Sequence, residues 1–364
     1  MLCEYLASLG FIVATTHPLG TAQINPRVEA HDLTTVMRDM AFVKGMMHDF
    51  PQVDPDHLGL FGWGLGSVTA LWMQMQDSDV DAVAGLGGAL SSSRVFDLIR
   101  DNPYFRPERM QVPLMVLCSA DDPVPDPSLI DALIYSKRYT GHFPGLTGNS
   151  FTHYPILTAL LTDTTGQSLA ASQAVYAAIA EHLEIFFKAL LNGDSAAMAA
   201  LGAKTGAGTS ASVAARWTVS EAREVPPTPE QFMAIIQGRG VPAAVKIFDK
   251  FRAEDPELIL FQEGAVNLLG YQLLGGGQAQ DAVQVLRMNR DTYPNSANVW
   301  DSYGEACVAA GNNEEAITSF RKALELLDTD SNLNAQFREG IRLSATRNLE
   351  QLEAAGAQEP ASQK

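Results

Sequence analysis

Residues 58–67, Leu-Gly-Leu-Phe-Gly-Trp-Gly-Leu-Gly-Ser, come closer to catalytic chemistry than any other stretch of this chain. A short apolar run stops in a glycine-dense turn and continues into helix-forming residues, Val68 to Trp72. A strand that turns sharply into a helix lifts the residue at its tip clear of the backbone, where a nucleophile can reach substrate. The turn is too tight for side chains beside that residue, and Gly62 and Gly66 supply the required frame. The tip itself is Gly64, which has nothing to attack with. Trp63 and Leu65 flank it and are expected to line any pocket above it.

Other residues compete for a chemical role. Ser67 lies past the tip, inside the first helical turn, where a small packing residue is the simpler reading. Cys118 ends an apolar run, and buried thiols in such places are inert. His153 is a candidate base, set against a plain exposed loop histidine. His17, before Pro18, is either a turn residue or a pocket contact. Met37, Met40 and Met47 recur at helical spacing and read as core. Gly87-Gly88 and Gly275-Gly276-Gly277 lack the strand-then-helix setting of a phosphate loop and read as turns. No His, Cys, Asp or Glu set has metal-ligand spacing, so neither a metal nor a cofactor is expected.

These residues need elements to hold them. The chain has 364 residues, 46% hydrophobic and 18% charged, enough for one large domain or two. Its formal charge of −17 argues against nucleic acid or an anionic membrane surface as partner. No apolar run approaches the roughly 18 residues of a membrane span, and the three cysteines lie too far apart for a disulfide framework. A helix is predicted over residues 2–9, stopped by Gly10, and a buried strand over Phe11–Thr16. Asp32 reads as the N-cap of a helix running to about Phe50. Strands follow at residues 58–61, 80–86 and 114–119, and a helix at 168–191. Alternation of strands and helices predicts an α/β domain over residues 1–192, with a doubly wound, mainly parallel sheet. Residues 193–228, rich in Ala, Gly, Ser and Pro, are expected to be a linker.

Residues 229–355 carry helical patterns alone, and they repeat. Gly270, Gly277, Ala282, Val283 and Leu286 are matched 34 residues later by Gly304, Gly311, Ala316, Ile317 and Phe320. That is the period of the tetratricopeptide repeat, a helix-turn-helix unit with small residues where its helices cross. A degenerate first pair is expected over residues 230–253, a capping helix over 334–353 and a frayed tail over 356–364. Stacked units of this kind form a concave surface for a protein or peptide partner.

Residues 1–190 resemble the α/β-hydrolase superfamily, in particular its dienelactone-hydrolase and acetylhydrolase-like members. The resemblance rests on Y-L-A-S-L-G-F-I-V-A, V-D-P-D-H-L-G-L-F-G-W-G-L-G and V-D-A-V-A-G-L-G-G. The C-terminal part resembles the repeat domain that bacterial proteins attach to serine hydrolases. Such enzymes use a serine nucleophile, a histidine base and an acid that orients the histidine. Carried over, the resemblance puts the serine at Gly64, the acid at Asp122 (Asp121 being the alternative) and the histidine at Gly148. It implies an acid kept and a nucleophile and base lost. It also places a strand and an H-G oxyanion loop before the segment where this sequence starts, which implies a natural chain that begins further upstream. Compartment stays open with that start: cytoplasmic as the sequence stands, exported if a leader precedes it. The expectation is a non-catalytic hydrolase homologue with a partner-binding repeat module. The alternatives are an active ester or acyl hydrolase with displaced catalytic residues, and a binder of a small acyl or aromatic ligand.

Overall fold

The computed structural model describes residues 2–16, 29–119, 126–144, 146–203 and 216–357. The chain divides into two compact units, Met1–Val225 and Pro226–Lys364. The first contains helices α1 (Leu2–Ser8) and α2 (Ala30–Met47), then β1 (Leu58–Trp63), α3 (Leu65–Gln76), β2 (Val80–Leu86) and α4 (Ser93–Ile99). These are followed by β3 (Leu114–Ser119), α5 (Ser128–Ala132), β4 (Arg138–Phe143), α6 (Tyr154–Thr162), α7 (Gln167–Leu191), α8 (Ser195–Gly202) and β5 (Arg216–Ser220).

The five strands lie in the order β1-β2-β3-β4-β5. The first four are parallel and β5 is antiparallel to β4. Parallel neighbours need crossover connections, and α3, α4 and α5 supply them. Right-handed crossovers between strands laid down in one direction all fall on the same face. Accordingly Leu71 and Trp72 of α3, Val95 and Ile99 of α4, and Leu129 and Ile130 of α5 share one core with Val83, Leu114 and Val116. The other face is covered from before and after the strands, by Leu6 of α1, Ile179, Leu183 and Phe186 of α7, and Leu201 of α8. Sandwiched between, β3 is buried at all six positions, which is why it reads as an unbroken apolar run.

Several expectations are corrected. Phe11–Thr16 is not a strand, although Phe11 and Val13 pack on the α7 side while Ile12 faces outward. The segment has the alternation of a strand but no neighbour to share a ladder, and β1 has no partner on its outer edge among the described residues. Helix α2 starts at Ala30 and ends at Met47, so Asp32 sits in its first turn, where a carboxylate favours the helix dipole. The linker range holds two elements of the first unit. Asp194 caps α8 by accepting from the backbone N–H groups of Ala196 and Ala197, and Leu201 is buried. Trp217 of β5 packs beside Tyr139 and His182.

The second unit is helical: α9 (Pro229–Arg239), α10 (Val241–Glu254), α11 (Glu263–Gly275), α12 (Ala279–Thr292), α13 (Ala297–Ala309), α14 (Asn313–Leu326) and α15 (Ala335–Ala357). Helix α15 extends through the first two residues of the expected tail. Residues 34 apart occupy matching places in the α11–α12 and α13–α14 pairs. A Cβ on Gly270 would lie 2.5 Å from Leu286 Cγ, and one on Gly304 would lie 2.7 Å from Phe320 Cε1. Gly277 and Gly311 turn the chain between the paired helices with φ of +76° and +81°. Ala282 and Ala316 are both fully buried. Among the described residues no helix is long and apolar enough to cross a membrane.

Candidate functional site

Strand β1 ends at Trp63 and α3 begins at Leu65, so a single residue makes the turn between them. That residue, Gly64, has φ +57° and ψ −128°, a backbone conformation that side chains disfavour. Its N–H donates to the Leu86 carbonyl at 2.8 Å, tying the tip to the end of β2. Its carbonyl accepts from the Ser67 N–H at 3.0 Å and also from the Ser67 hydroxyl. A Cβ built on Gly64 would meet nothing within 4 Å.

The frame around the tip is unequal. A Cβ on Gly62 would lie 2.2 Å from both the carbonyl carbon and the oxygen of Gly66, and these are backbone atoms that cannot step aside. A Cβ on Gly66 meets open space. Crowding therefore fixes Gly62, and it is the backbone of Gly66, not its missing side chain, that causes it.

Gly148 opens a short 3-10 turn, residues 148–151, set by a reciprocal pair of bonds between Thr147 and Ser150. The structure brings this turn to the tip through its neighbour: Trp63 Nε1–H donates to the Gly148 carbonyl oxygen at 3.0 Å. Gly87, just beyond β2, lies in the same corner, since a Cβ there would be 3.1 Å from Trp63 Nε1 and 3.7 Å from the Gly148 oxygen. Like Gly64, Gly148 has no atom within 4 Å of the place a Cβ would take. Trp63 stays 49% exposed despite its hydrogen bond.

The remaining candidates fall differently. Asp122, its alternative Asp121, and His17 lie outside the described residues. His153 is exposed at the start of α6. Ser67 is 1% exposed, and its hydroxyl is committed to the Gly64 carbonyl. Cys118 is buried on β3, with its Sγ 3.2 Å from Nδ1 of His142, its register partner on β4. Burial, and then the Arg216 charge, hold the His142 imidazole below its usual range. A neutral ring can take the thiol hydrogen, and the pair is a bond between strands. Strand β4 went unassigned in sequence although Arg-Tyr-Thr-Gly-His-Phe alternates, with Arg138, Thr140 and His142 on one face and Tyr139, Gly141 and Phe143 on the other, the signature of a half-buried strand.

An open depression of about 330 Å³ lies beside the Gly148 turn, lined in part by Thr147, Asn149, Tyr154, Pro155 and Thr158. Neither Gly62, Trp63 nor Leu65 borders it. Among the described residues no cluster of three His, Cys, Asp or Glu side chains is placed to hold a metal ion.

Compared with models of known protein families and with curated proteins, the chain matches none.

Proposed function

We propose that the first unit is a non-catalytic relative of the α/β-hydrolases, and that the helical unit is a tetratricopeptide-like module that engages a protein or peptide partner. One observation carries the reading: the residue at the tip of the strand-to-helix turn adopts the strained conformation suited to a nucleophile, yet it is glycine. Glycine takes that conformation at little cost, whereas any side chain there is strained. Descent from a turn that once presented serine accounts for a tip that keeps the shape without the group it would present. Gly148, beside it through Trp63, likewise has no side chain to act as a base. The hydroxyl of Ser67 is buried and bonded, which leaves the tip without a substitute nucleophile.

The open space at Gly64 and Gly148 supports a second role for the corner, retention of a small acyl or aromatic ligand without cleavage. The half-exposed indole of Trp63 would be its stacking surface.

The test is chemical. The protein should leave short-chain p-nitrophenyl esters intact beyond the background of an unrelated acidic protein, and should take no label from a serine-directed fluorophosphonate. Stoichiometric labelling of any serine would replace this reading with that of an active acyl hydrolase whose catalytic set has moved.

A further inference from the structure

Asp301 of α13 is 6% exposed, and its Oδ1 has no hydrogen-bond partner. A second carboxylate, Glu305, follows one turn along the same helix. Glu305 links three helices. Its Oε1 accepts from the Ser344 hydroxyl of α15 at 2.9 Å, and its Oε2 accepts from the Tyr271 hydroxyl of α11 at 2.8 Å. Ser344 is also within hydrogen-bonding reach of Asp301. Among the described residues, the groups that act on Asp301 are Glu305 on its own helix, Tyr271 on α11 and Ser344 on α15, none of them a cation.

A hydroxyl carries one hydrogen. Ser344 has that one hydrogen for two carboxylates: it donates to Glu305 at 2.9 Å, and it can serve an ionised Asp301 only by leaving Glu305. An ionised Asp301 would then be a buried charge competing with Glu305 for a single donor, its Oδ1 unpaired and a like charge one turn away, a costly arrangement in a protein interior. A protonated Asp301 can donate to Ser344 Oγ and complete the chain from Asp301 through Ser344 to Glu305. Burial first, and Glu305 second, push the Asp301 carboxyl up to about 7, against a smaller lowering by the Ser344 hydrogen bond.

The element best able to relieve an ionised Asp301 is α15. Its buried side chains are Ile341 and Ala345, and an exposed ion pair between Arg321 and Glu353 ties it to α14, whereas α13 buries Val299, Tyr303, Ala306, Cys307 and others. Leu343 and Phe337 of α15 face outward.

We propose that α15 is a cover latched by a proton: it docks on α13 while Asp301 is protonated and is released as Asp301 ionises. Release hydrates both carboxylates and uncovers the acidic face that α13 shares with Tyr271. The device works across neutral pH and needs no ligand.

Hydrogen exchange on the full chain tests it, at pH 6 and pH 8, with rates corrected for base-catalysed intrinsic exchange. In the wild type the opening of α15 should be roughly tenfold more populated at pH 8, because the open form gains the proton-release equilibrium that the closed form resists. Amides of α13 should change far less. In Asp301→Asn the exchange of α15 should no longer depend on pH. Glu305→Gln removes the like charge and should move the transition to lower pH, which gives an answer even where Asp301→Asn fails to fold. An α15 equally protected at both pH values in the wild type overturns the proposal. So does a tenfold change that persists in Asp301→Asn, or an unshifted transition in Glu305→Gln.

Discussion

The indole N–H of Trp63 donates to the carbonyl oxygen of Gly148 at 3.0 Å, across 85 residues of sequence. Trp63 is the last residue of β1 and Gly148 the first of a 3-10 turn beyond β4. The bond joins the corner where a hydrolase-like arrangement would hold its nucleophile to the corner where it would hold its base. Replacing the tryptophan by phenylalanine keeps the ring and removes the donor. Trp63→Phe should cost about 0.5–1.5 kcal/mol in chemical denaturation, at the low end because the bond is half exposed.

The three glycines of the turn should respond in a fixed order. Gly62→Ala drives a methyl into the Gly66 backbone at 2.2 Å. It should cost about 3 kcal/mol or more, or prevent folding. Gly64→Ala has room but keeps a left-handed φ of +57°, a strain of about 1–3 kcal/mol. Gly66→Ala has room and sits in a helix, where alanine gains about 0.5–1 kcal/mol over glycine. Urea melts of the three variants check the ranking, and a Gly66→Ala variant less stable than Gly62→Ala would refute it.

Rebuilding the missing side chains separates a retired site from a misread one. Gly64→Ser alone should stay inert, because its hydroxyl has no base beside it. Gly148→His alone has nothing to activate. On the proposed reading, in which Asp122 would be the acid, the double variant should give slow but measurable turnover of a p-nitrophenyl ester. A well-folded, inert double variant would show that Gly148 does not stand at the base position.

The helical hairpins should be equally sensitive at their crossings. Gly270→Ala places a methyl 2.5 Å from Leu286, and Gly304→Ala places one 2.7 Å from Phe320. Each should lower stability by about 1–3 kcal/mol. Leu286→Ala added to Gly270→Ala should cost less than the sum of the two single changes, because the second opens the space that the first overfills.

Asp301 sets the sign of a pH effect on stability. Its carboxyl is raised in the folded chain, so the native state holds its proton where the unfolded chain has lost it. Stability contributed by that proton is full below the ordinary carboxylate range, falls as pH rises to about 7, and levels off above. Asp301→Asn should remove the decline and gain on the order of 2–4 kcal/mol at pH 8. Thermal melts of both proteins between pH 5 and pH 8 read this directly, and parallel curves would count against it.

What the sequence determined by itself was periodic or stereochemical. Leu114–Ser119 could be placed because a strand buried on both faces reads as a near-continuous apolar run, here Leu114 to Cys118. The pairing of Gly270 with Gly304 was legible because two helix pairs that cross alike need the same small residue at the same offset. The turn at Gly64 was legible because crowding beside it leaves Gly62 no alternative.

Tertiary structure decided what depends on neighbours distant in sequence. Phe11–Thr16 has the composition of a strand but lacks a ladder partner, and pairing rather than composition makes a strand. The reverse holds for β5, where Arg-Trp-Thr-Val-Ser within a polar stretch becomes a strand because β4 offers it an edge. The contact of Trp63 with Gly148, and that of Ser344 with Glu305, join residues whose spacing follows no period. Local sequence fixes which conformations each segment can adopt. Only the assembled fold fixes which polar groups are left facing one another, and with them the chemistry of the site.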